Sequence, residues 1–295
     1  MPLPENIGFI GTGAITDALV RGLLAEPAAV PRVMVSHRSA GVSAKLAADF
    51  PQVLVSKDNQ AIVEDCDTLV LAIRPLVAEE VVRPLRFHDG QRVISVVAAT
   101  SRPCLLEWTG ADVRLTQAIP LPFVARRKGV TAVYPPDADT AAIFTVLGGA
   151  VECETKTEYD LLAAASALMA TYVGIMHRTT AWLAEHGLPE EKGRAYLAHL
   201  FAGISETAFV AGKDVDLINL SGEFATKGGL NELVFQDFNG NGGSNALKRA
   251  LDRVLERITR GGGGFYGWMG VQIGLTQGQI TRQGFGSDRP RMDWD

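Results

Sequence analysis

The sequence predicts an α/β protein with an N-terminal Rossmann-type parallel sheet and a C-terminal all-helical dimerisation domain. In the first half, short apolar runs such as "NIGFIG", "RVMVS" and "TLVLAI" alternate with helical patterns. This alternation is typical of a parallel sheet covered by helices on both faces. Beyond about residue 157 the patterns are helical and rich in Ala and Leu. We therefore expect a sheet domain at 1–156, a helical domain at 157–260 and a flexible Gly-rich tail at 261–295.

The composition indicates which partners and which cellular compartment to expect. Hydrophobic residues make up 47% of the 295-residue chain, charged residues make up 21%, and the net charge is -5. With no cluster of Lys and Arg, we expect no nucleic-acid partner. Cys66, Cys104 and Cys153 are too far apart for a disulfide framework or a CxxC pair, which favours a reducing cytoplasm. The spacing of His, Cys and acidic residues predicts no metal site.

One apolar stretch, from Leu161 to Met176, stands out in the helical half. It is shorter than the about 20 residues that a membrane-spanning helix needs, so we expect no membrane partner. A helix buried in the core or in an interface is the better interpretation. The sequence therefore predicts an intertwined homodimer that buries this helix through the C-terminal domain.

Glycines interrupt the turn between the first strand and the first helix. Gly11, Thr12 and Gly13 precede a helical pattern at Ala14–Leu24, which is the context of a dinucleotide-binding turn. There Gly11 would make the tight turn, and Gly13 would let the main chain approach the pyrophosphate at the helix N-terminus. Thr16 occupies the third glycine position and would space helix and strand slightly further apart. A plain structural turn is the alternative.

The end of the second strand predicts the choice of nucleotide. An NAD site usually has an acidic residue there, whereas this chain has Ser36, His37, Arg38 and Ser39. Arginine and hydroxyl groups suit a ribose 2′-phosphate through charge-assisted hydrogen bonds. We therefore predict NADP (as NADPH) rather than NAD. A polar, solvated loop is the alternative.

Several motifs occur in the order found in the pyrroline-5-carboxylate reductase family. They are "IGFIGTGAITDALVRGLL", "DNQAIVEDCDTLVLAIRP", "RVISVVAATS", "AIPLPFVARRKGVTAVYP" and "KGGLNEL". The chain resembles that family over roughly residues 5–260, most specifically in the first 100 residues. The resemblance implies an NADP-dependent imine reductase with a Rossmann domain and a helical domain that builds a dimer.

The same resemblance implies a set of cofactor residues. The pyrophosphate would be held by Gly11, Thr12, Gly13, Ala14 and Ile15. The adenosine phosphate end would lie by Ser36, His37, Arg38 and Asn59. The ribose and nicotinamide would be flanked by Ala72, Ile73, Arg74, Pro75, Ala98 and Ala99. The last six follow two strands at their carboxyl ends, where ligands bind in open α/β sheets.

The chain departs from the family in the substrate half. The Asn of the family's "MPN" is Leu121, and its "SGSGP" becomes Ser166–Ala170, which includes Met169. Its "PGGTT" becomes Lys227, Gly228, Gly229, Leu230 and Asn231. These changes surround one expected pocket. They predict a small, cyclic imine or imino acid other than pyrroline-5-carboxylate as substrate.

Three residues are candidates for catalysis. Asn231 is no acid near neutral pH, but its amide can orient a substrate or a water. A carbonyl substrate would need a true acid, for which His177 and Tyr172 in the first long helix are candidates. The alternatives are structural: His177 and Tyr172 packed in a dimer core, Asn231 starting a helix, and Lys227 as a solvated loop residue.

Two other functions compete with an imine reductase. A hydroxyacid-type dehydrogenase of similar organisation would place a catalytic Lys in the first long helix, but Asp160 to His186 contains none. A non-catalytic NADP-binding regulatory or scaffold protein is compatible with the altered substrate motifs. An interdomain cleft filled by Leu121, Met169 and Leu230 would favour this second alternative.

Overall fold

The computed structural model describes residues 3–259, which form two compact units. Of the described residues, the first unit comprises 3–162 and 257–259, and the second comprises 163–256. The predicted tail at 261–295 lies outside the described residues. The boundary expected at residues 156 and 157 stays a prediction.

The first unit contains an eight-stranded sheet in the order β3-β2-β1-β4-β5-β6-β7-β8. Neighbouring strands are parallel except for the antiparallel pair β6 and β7. The strands are β1 (Asn6–Ile10), β2 (Arg32–Ser36), β3 (Val53–Ser56), β4 (Thr68–Leu71), β5 (Arg92–Ser95), β6 (Arg114–Ile119), β7 (Thr131–Tyr134) and β8 (Ala150–Glu152). The predicted fold class is confirmed. The strand order reverses between β1 and β4, and in such sheets ligands bind at the carboxyl ends beside this reversal.

Helices cover both faces of this sheet. They are α1 (Ala14–Leu24), α2 (Ala40–Asp49), α3 (Asn59–Asp65), α4 (Pro75–Val82), α5 (Arg102–Thr109) and α6 (Ala138–Val146), with a short 3-10 helix at Pro122–Arg126. Successive side chains of a strand point to opposite faces. Phe9 accordingly packs in a cluster with Leu19 and Phe144, whereas Ile10 packs in another with Leu69 and Leu105. The central strands β1, β4 and β5 are therefore buried on both sides, as their near-continuous hydrophobic runs predicted, whereas the edge strands β3 and β8 expose apolar side chains.

The second unit is helical. The helices beyond the sheet are α7 (Lys156–Ser166), α8 (Leu168–Glu185), α9 (Glu190–Ala211), α10 (Leu217–Phe224), α11 (Leu230–Gly240) and α12 (Gly243–Thr259). Helix α8 packs against α9, where the rings of Tyr172 and Phe201 meet edge to face at 5.3 Å. Large apolar side chains remain exposed in the chain, among them Phe209 at 86% and Leu230 at 82%.

The apolar helix lies in a longer helical segment than its sequence predicted. Within residues 3–259, one helical segment, Lys156–Glu185, is long and apolar enough by length and composition to cross a membrane. Its mean hydropathy is 1.4. The core helices of soluble proteins meet the same criterion, so this is weak support for a membrane span. Only 17% of the most apolar 18 residues of this segment is buried. The expectation of a buried core helix is therefore not met within the single chain, and the interface interpretation stays a prediction.

Candidate functional site

The glycine turn lies at the reversal of strand order, between β1 and α1. Gly11 has a φ of +99°, and a Cβ there would overlap the carbonyl oxygen of Ala72, which follows β4. Both the left-handed backbone and the close approach require glycine. A Cβ at Gly13, in contrast, would meet nothing within 4 Å. The space before the first turn of α1 is therefore open.

The start of α1 has the properties of an anion site. Gly13 is the N-cap residue and provides no side-chain cap, so no side chain among the described residues satisfies the first N–H groups. The acidic residue of the first turn, Asp17, is paired with Arg21 at 3.0 Å. The helix dipole adds partial positive charge at this end. Open space and uncapped N–H groups fit the diphosphate of a dinucleotide.

Buried hydroxyl groups form hydrogen bonds with the backbone of the glycine turn. Ser36 Oγ accepts a hydrogen bond from the backbone N–H of Gly11 at 2.9 Å. Thr12 Oγ1 lies 3.1 Å from the same Ser36 oxygen. Thr16 Oγ1 donates to the carbonyl oxygen of Gly11 at 2.6 Å. Thr16 thus binds the turn through a hydrogen bond that the sequence did not reveal.

This network changes how Ser36 is interpreted. Its side chain is buried, at 3% exposure, and its hydroxyl accepts the Gly11 N–H. The Ser36 hydroxyl, which the sequence predicts to bind the adenosine phosphate, is therefore buried against the glycine turn. Its local role is to fix the backbone of Gly11, because the N–H of a buried turn needs an acceptor.

The residues predicted for the adenosine end lie after β2 and β3. His37 and Arg38 are exposed just after β2, and the His37 N–H donates to the Ser56 carbonyl at 2.9 Å. Asn59 begins α3, whose N-cap residue Asp58 accepts from the N–H of Gln60 at 2.9 Å. Lys57, also exposed, is a further cation here that the sequence analysis missed. Its signal is its position directly after the third strand.

The ends of β4 and β5 carry the residues predicted for the ribose and nicotinamide. Ala72 N–H donates to the Ile10 carbonyl at 2.9 Å, which fixes this segment beside the glycine turn. Pro75 begins α4 directly after Arg74. Ala98 and Ala99 follow β5, and Ala99 has a left-handed backbone with a φ of 51°. Since β1, β4 and β5 are neighbouring parallel strands, these segments meet at one edge of the sheet.

Leu121 lies after β6 in the first unit. It is half-buried and is the N-cap residue of the 3-10 helix, where its carbonyl accepts from the N–H of Val124 at 3.0 Å. An apolar side chain at this position offers no hydrogen bond to a ligand.

In the second unit, the start of α11 carries most of the predicted substrate residues. Gly228 has a φ of +72°, and its N–H donates to Glu232 Oε2 at 2.6 Å. The amide nitrogen of Asn231 donates to the Phe224 carbonyl at 2.9 Å. Lys227 and Leu230 are exposed, and Gly229 is the N-cap residue. The contact of Asn231 with the Phe224 carbonyl supports the alternative that Asn231 is a helix-start residue. Glu232, which accepts from the Gly228 N–H, is a polar group that the sequence analysis missed.

Helix α8 carries Met169, Tyr172 and His177. Met169 is half-buried, whereas Tyr172 and His177 are exposed. Residues five apart on an α-helix lie about 140° apart around its axis and are not neighbours. Within one chain, α8 therefore does not bring the Tyr172 and His177 side chains to a common point.

Comparison with known proteins gives the class of protein. The family model described as "NADP oxidoreductase coenzyme F420-dependent" matches residues 6–99. The chain is 22% identical to a pyrroline-5-carboxylate reductase of Vibrio alginolyticus, over 86% of this chain and 96% of that one. It is also 22% identical to pyrroline-5-carboxylate reductase 2 of Bacillus subtilis (strain 168), over 86% and 94%.

Solved structures agree in fold. A pyrroline-5-carboxylate reductase from Coxiella burnetii has a TM-score of 0.75 and 21% identity, covering 87% of this chain and 98% of that one. A Plasmodium falciparum pyrroline carboxylate reductase with NADP bound has a TM-score of 0.70 and 18% identity, covering 88% and 98%.

The Rossmann-type fold and the similarity to these relatives together indicate an NAD(P)-dependent oxidoreductase. Within that class, the chain resembles pyrroline-5-carboxylate reductases, as the order of its motifs predicted. The match to the oxidoreductase family model lies in the sheet, where the glycine turn is found.

Proposed function

We propose that this protein is an NADPH-dependent reductase that transfers hydride to the C=N bond of a small, cyclic imine or imino acid. The observation that carries the proposal is the open, uncapped start of α1 behind Gly11, placed where the strand order reverses. When bound, the reduced nicotinamide supplies the hydride. The protein would supply binding, orientation and electrostatics.

The cofactor site would be built by three segments at the carboxyl edge of the sheet. The N–H groups of Gly13, Ala14 and Ile15 would bind the pyrophosphate. His37, Arg38 and Asn59, with the cation of Lys57 nearby, would bind the adenosine end. The absence of an acidic residue directly after β2 supports NADPH over NADH, since a carboxylate there would repel a 2′-phosphate.

The nicotinamide end would lie by the segment Ala72–Pro75 and by Ala98 and Ala99. The proposed substrate residues are Leu121, Met169, Lys227, Gly228, Gly229 and Leu230. Because the relatives are only 22% identical and these positions differ from the family's motifs, we propose a substrate other than pyrroline-5-carboxylate.

Asn231 would orient the substrate rather than protonate it. A protonated iminium already carries its proton, so alignment and electrostatics can provide most of the rate enhancement. The amide nitrogen of Asn231 donates to Phe224, which leaves its Oδ1 to accept a hydrogen bond from an iminium N–H. His177 and Tyr172 remain the proposed acids if the substrate is a carbonyl.

We also propose that the protein is a cytoplasmic homodimer that uses its helical unit as the interface. The exposed apolar side chains of α8 and α9, such as Val173 and Phe209, support this assembly. Burying apolar surface stabilises a complex by about 25 cal/mol per Å². A small-molecule substrate and a second copy of the chain would then be its partners.

A non-catalytic NADP-binding role is the second candidate. It is favoured by the start of α11, where Glu232 binds the Gly228 N–H and Asn231 binds the Phe224 carbonyl, so two expected ligand groups have internal partners. An enzyme and a binding protein differ in turnover alone.

The test combines titration with turnover. Wild-type protein is titrated with NADPH and NADH by fluorescence, and NADPH oxidation is then followed with 1-pyrroline, 1-piperideine, pyrroline-5-carboxylate and a set of ketones. Tighter binding of NADPH with turnover of a cyclic imine supports the reductase. Binding without turnover supports the regulatory role, and binding of neither nucleotide contradicts both.

A further inference from the structure

Gln117 is a buried amide near the carboxyl end of β6, and the sequence analysis gave it no role. Its side chain is 4% exposed. Its Nε2 donates a hydrogen bond to the carbonyl oxygen of Thr100 at 2.8 Å. Its Oε1 is buried and has no hydrogen-bond partner among the described residues. A buried amide oxygen without a partner lowers the stability of the fold, so an apolar side chain of the same size would pack here at a lower cost in free energy.

Thr100 belongs to the β5–α5 loop, residues 96–101, which contains a strained residue. Ala99 has a φ of 51°, and among the described residues Arg127 is the other non-glycine residue with a positive φ. Such a conformation costs about 1–3 kcal/mol and persists only where the surroundings fix it. Arg127 is fixed through its side chain, which donates to the carbonyls of Gly22 and Ala25 at 2.8 Å.

The Ala99 side chain cannot make such bonds, so its conformation depends on neighbours. Gln117 binds the carbonyl of the very next residue, Thr100. Just after the loop, at the start of α5, Arg102 Nε donates to the Leu115 carbonyl at 3.1 Å, again on β6. Two side-chain bonds thus connect the end of this loop to one strand, and the Gln117 bond is the one adjacent to the strained residue.

This loop lies at the carboxyl edge of the sheet, where Ala98 and Ala99 are proposed to flank the nicotinamide. We propose that Gln117 is a positioning residue which, through Thr100, holds the β5–α5 loop in the conformation that receives the nicotinamide half of NADPH. The inference rests on the proposed function, because it assigns the loop to that half of the cofactor. It adds a residue that would act on the cofactor site without touching the ligand.

The test is Gln117→Met, which keeps the length of the side chain and removes the donor. The matched control is Gln91→Met. Gln91 is also buried, at 8% exposure, and its Nε2 donates to the carbonyls of Val63 and Cys66 at 2.8 Å and 2.9 Å. It precedes β5 and therefore lies at the opposite edge of the sheet. Both variants lose buried amide hydrogen bonds, but only one of these amides contacts the loop.

Each protein is titrated with NADPH and with 2′,5′-ADP, which lacks the nicotinamide, and its thermal unfolding is recorded. For Gln117→Met we expect the preference for NADPH over 2′,5′-ADP to fall about three- to tenfold, the effect of one hydrogen bond. For Gln91→Met we expect a lower Tm with the wild-type preference. Gln117→Asn keeps the amide but is one methylene shorter, and we expect it to reproduce the fall if Gln117→Met does not fold.

Three results would overturn the inference. A wild-type preference in the folded Gln117 variants would show that the amide serves stability alone. An equal fall in Gln91→Met would show a general effect of lost packing. Failure of the wild-type protein to bind either ligand would refute the proposed function itself, and this outcome is recognised because it precedes any mutation.

Discussion

Gly11 packs directly against Ala72, so the glycine turn touches the segment that follows β4. The backbone N–H of Gly11 is held from the other side by the hydroxyl of Ser36. Three neighbouring strands thus fix the turn that opens onto α1. A site built in this way is formed before a ligand arrives, which lowers the entropy cost of binding.

Substitution of Gly11 by Ala is expected to destabilise the fold. The added Cβ would meet the Ala72 carbonyl, and a φ of +99° is strained for any residue with a side chain. We expect a loss of about 2–4 kcal/mol in the free energy of unfolding, measured in urea. Gly90→Ala is the control, since Gly90 has a φ of +77° but open space around it. An equal loss in the two variants would contradict the close approach.

Substitution of Gly13 by Asp is expected to weaken NADPH binding strongly without unfolding the protein. The site has room for a side chain, and Asp is a favourable N-cap residue, so the Tm should be unchanged or higher. The carboxylate would occupy the N–H groups and repel a diphosphate, which should weaken NADPH at least about 100-fold.

Gly13→Asn separates charge from shape, because Asn also caps the helix but is neutral. We expect it to weaken NADPH much less than Gly13→Asp does. If both variants bind NADPH as the wild type does, the start of α1 is not the diphosphate site.

Substitution of Phe209 by Glu is expected to break the dimer. Phe209 is 86% exposed in the single chain, and a charge placed on an apolar interface would leave a carboxylate desolvated. Light scattering should give twice the 31.5 kDa chain mass for the wild type and the chain mass for the variant. Val130→Glu, on an exposed apolar residue of the first unit, should leave the dimer intact. A monomeric wild type would refute the assembly.

The three cysteines are expected to react unequally. Cys104 is exposed, whereas Cys66 and Cys153 are buried, and burial raises the pKa of the Cys66 thiol to about 11. At pH 8 a colorimetric thiol reagent should therefore modify one cysteine per folded chain and three after denaturation. Cys104→Ser should remove the fast reaction. Fast modification of two or more thiols in the folded protein would contradict the burial.

The same pKa shift gives a pH dependence of stability. The pKa of Cys66 is raised on folding, so its contribution is fully present below the ordinary value of about 9. It is lost as pH rises from about 9 to about 11, because the unfolded thiol ionises first. The free energy of unfolding should fall less over this range in Cys66→Ala than in the wild type, which urea titrations at both pH values measure.

Much of the first unit could be predicted because its signals are local. An apolar run, or a glycine turn between a strand and a helix, spans only a few consecutive residues, and together these signals indicate a Rossmann-type sheet. The hydrogen bonds of Ser36 to Gly11 and of Gln117 to Thr100 could not be predicted, since each joins residues that meet only after the strands pair. The same reason explains why Ser36 was assigned to the adenosine end although its hydroxyl is buried.

The helical unit is harder to predict from sequence. Apolar residues occur all around α8, so the pattern does not show which face is covered or that Tyr172 and His177 point apart. At the start of α11, Glu232 gave no signal beyond a common charged residue, yet it binds the Gly228 N–H. The roles proposed for Asn231 and Lys227 therefore depend on experiment.

The most direct measurement is the transfer of deuterium to a cyclic imine from NADPH that is deuterated at both C4 positions, because the enzyme uses only one of the two C4 hydrogens. Wild-type protein is incubated with this cofactor and 1-piperideine or 1-pyrroline, and the amine product is examined by mass spectrometry. We expect a product that carries one deuterium on the former imine carbon, and far less of this product from Gly13→Asp. If NADPH binds but transfers no deuterium to either imine or to pyrroline-5-carboxylate, the proposed imine reduction is contradicted.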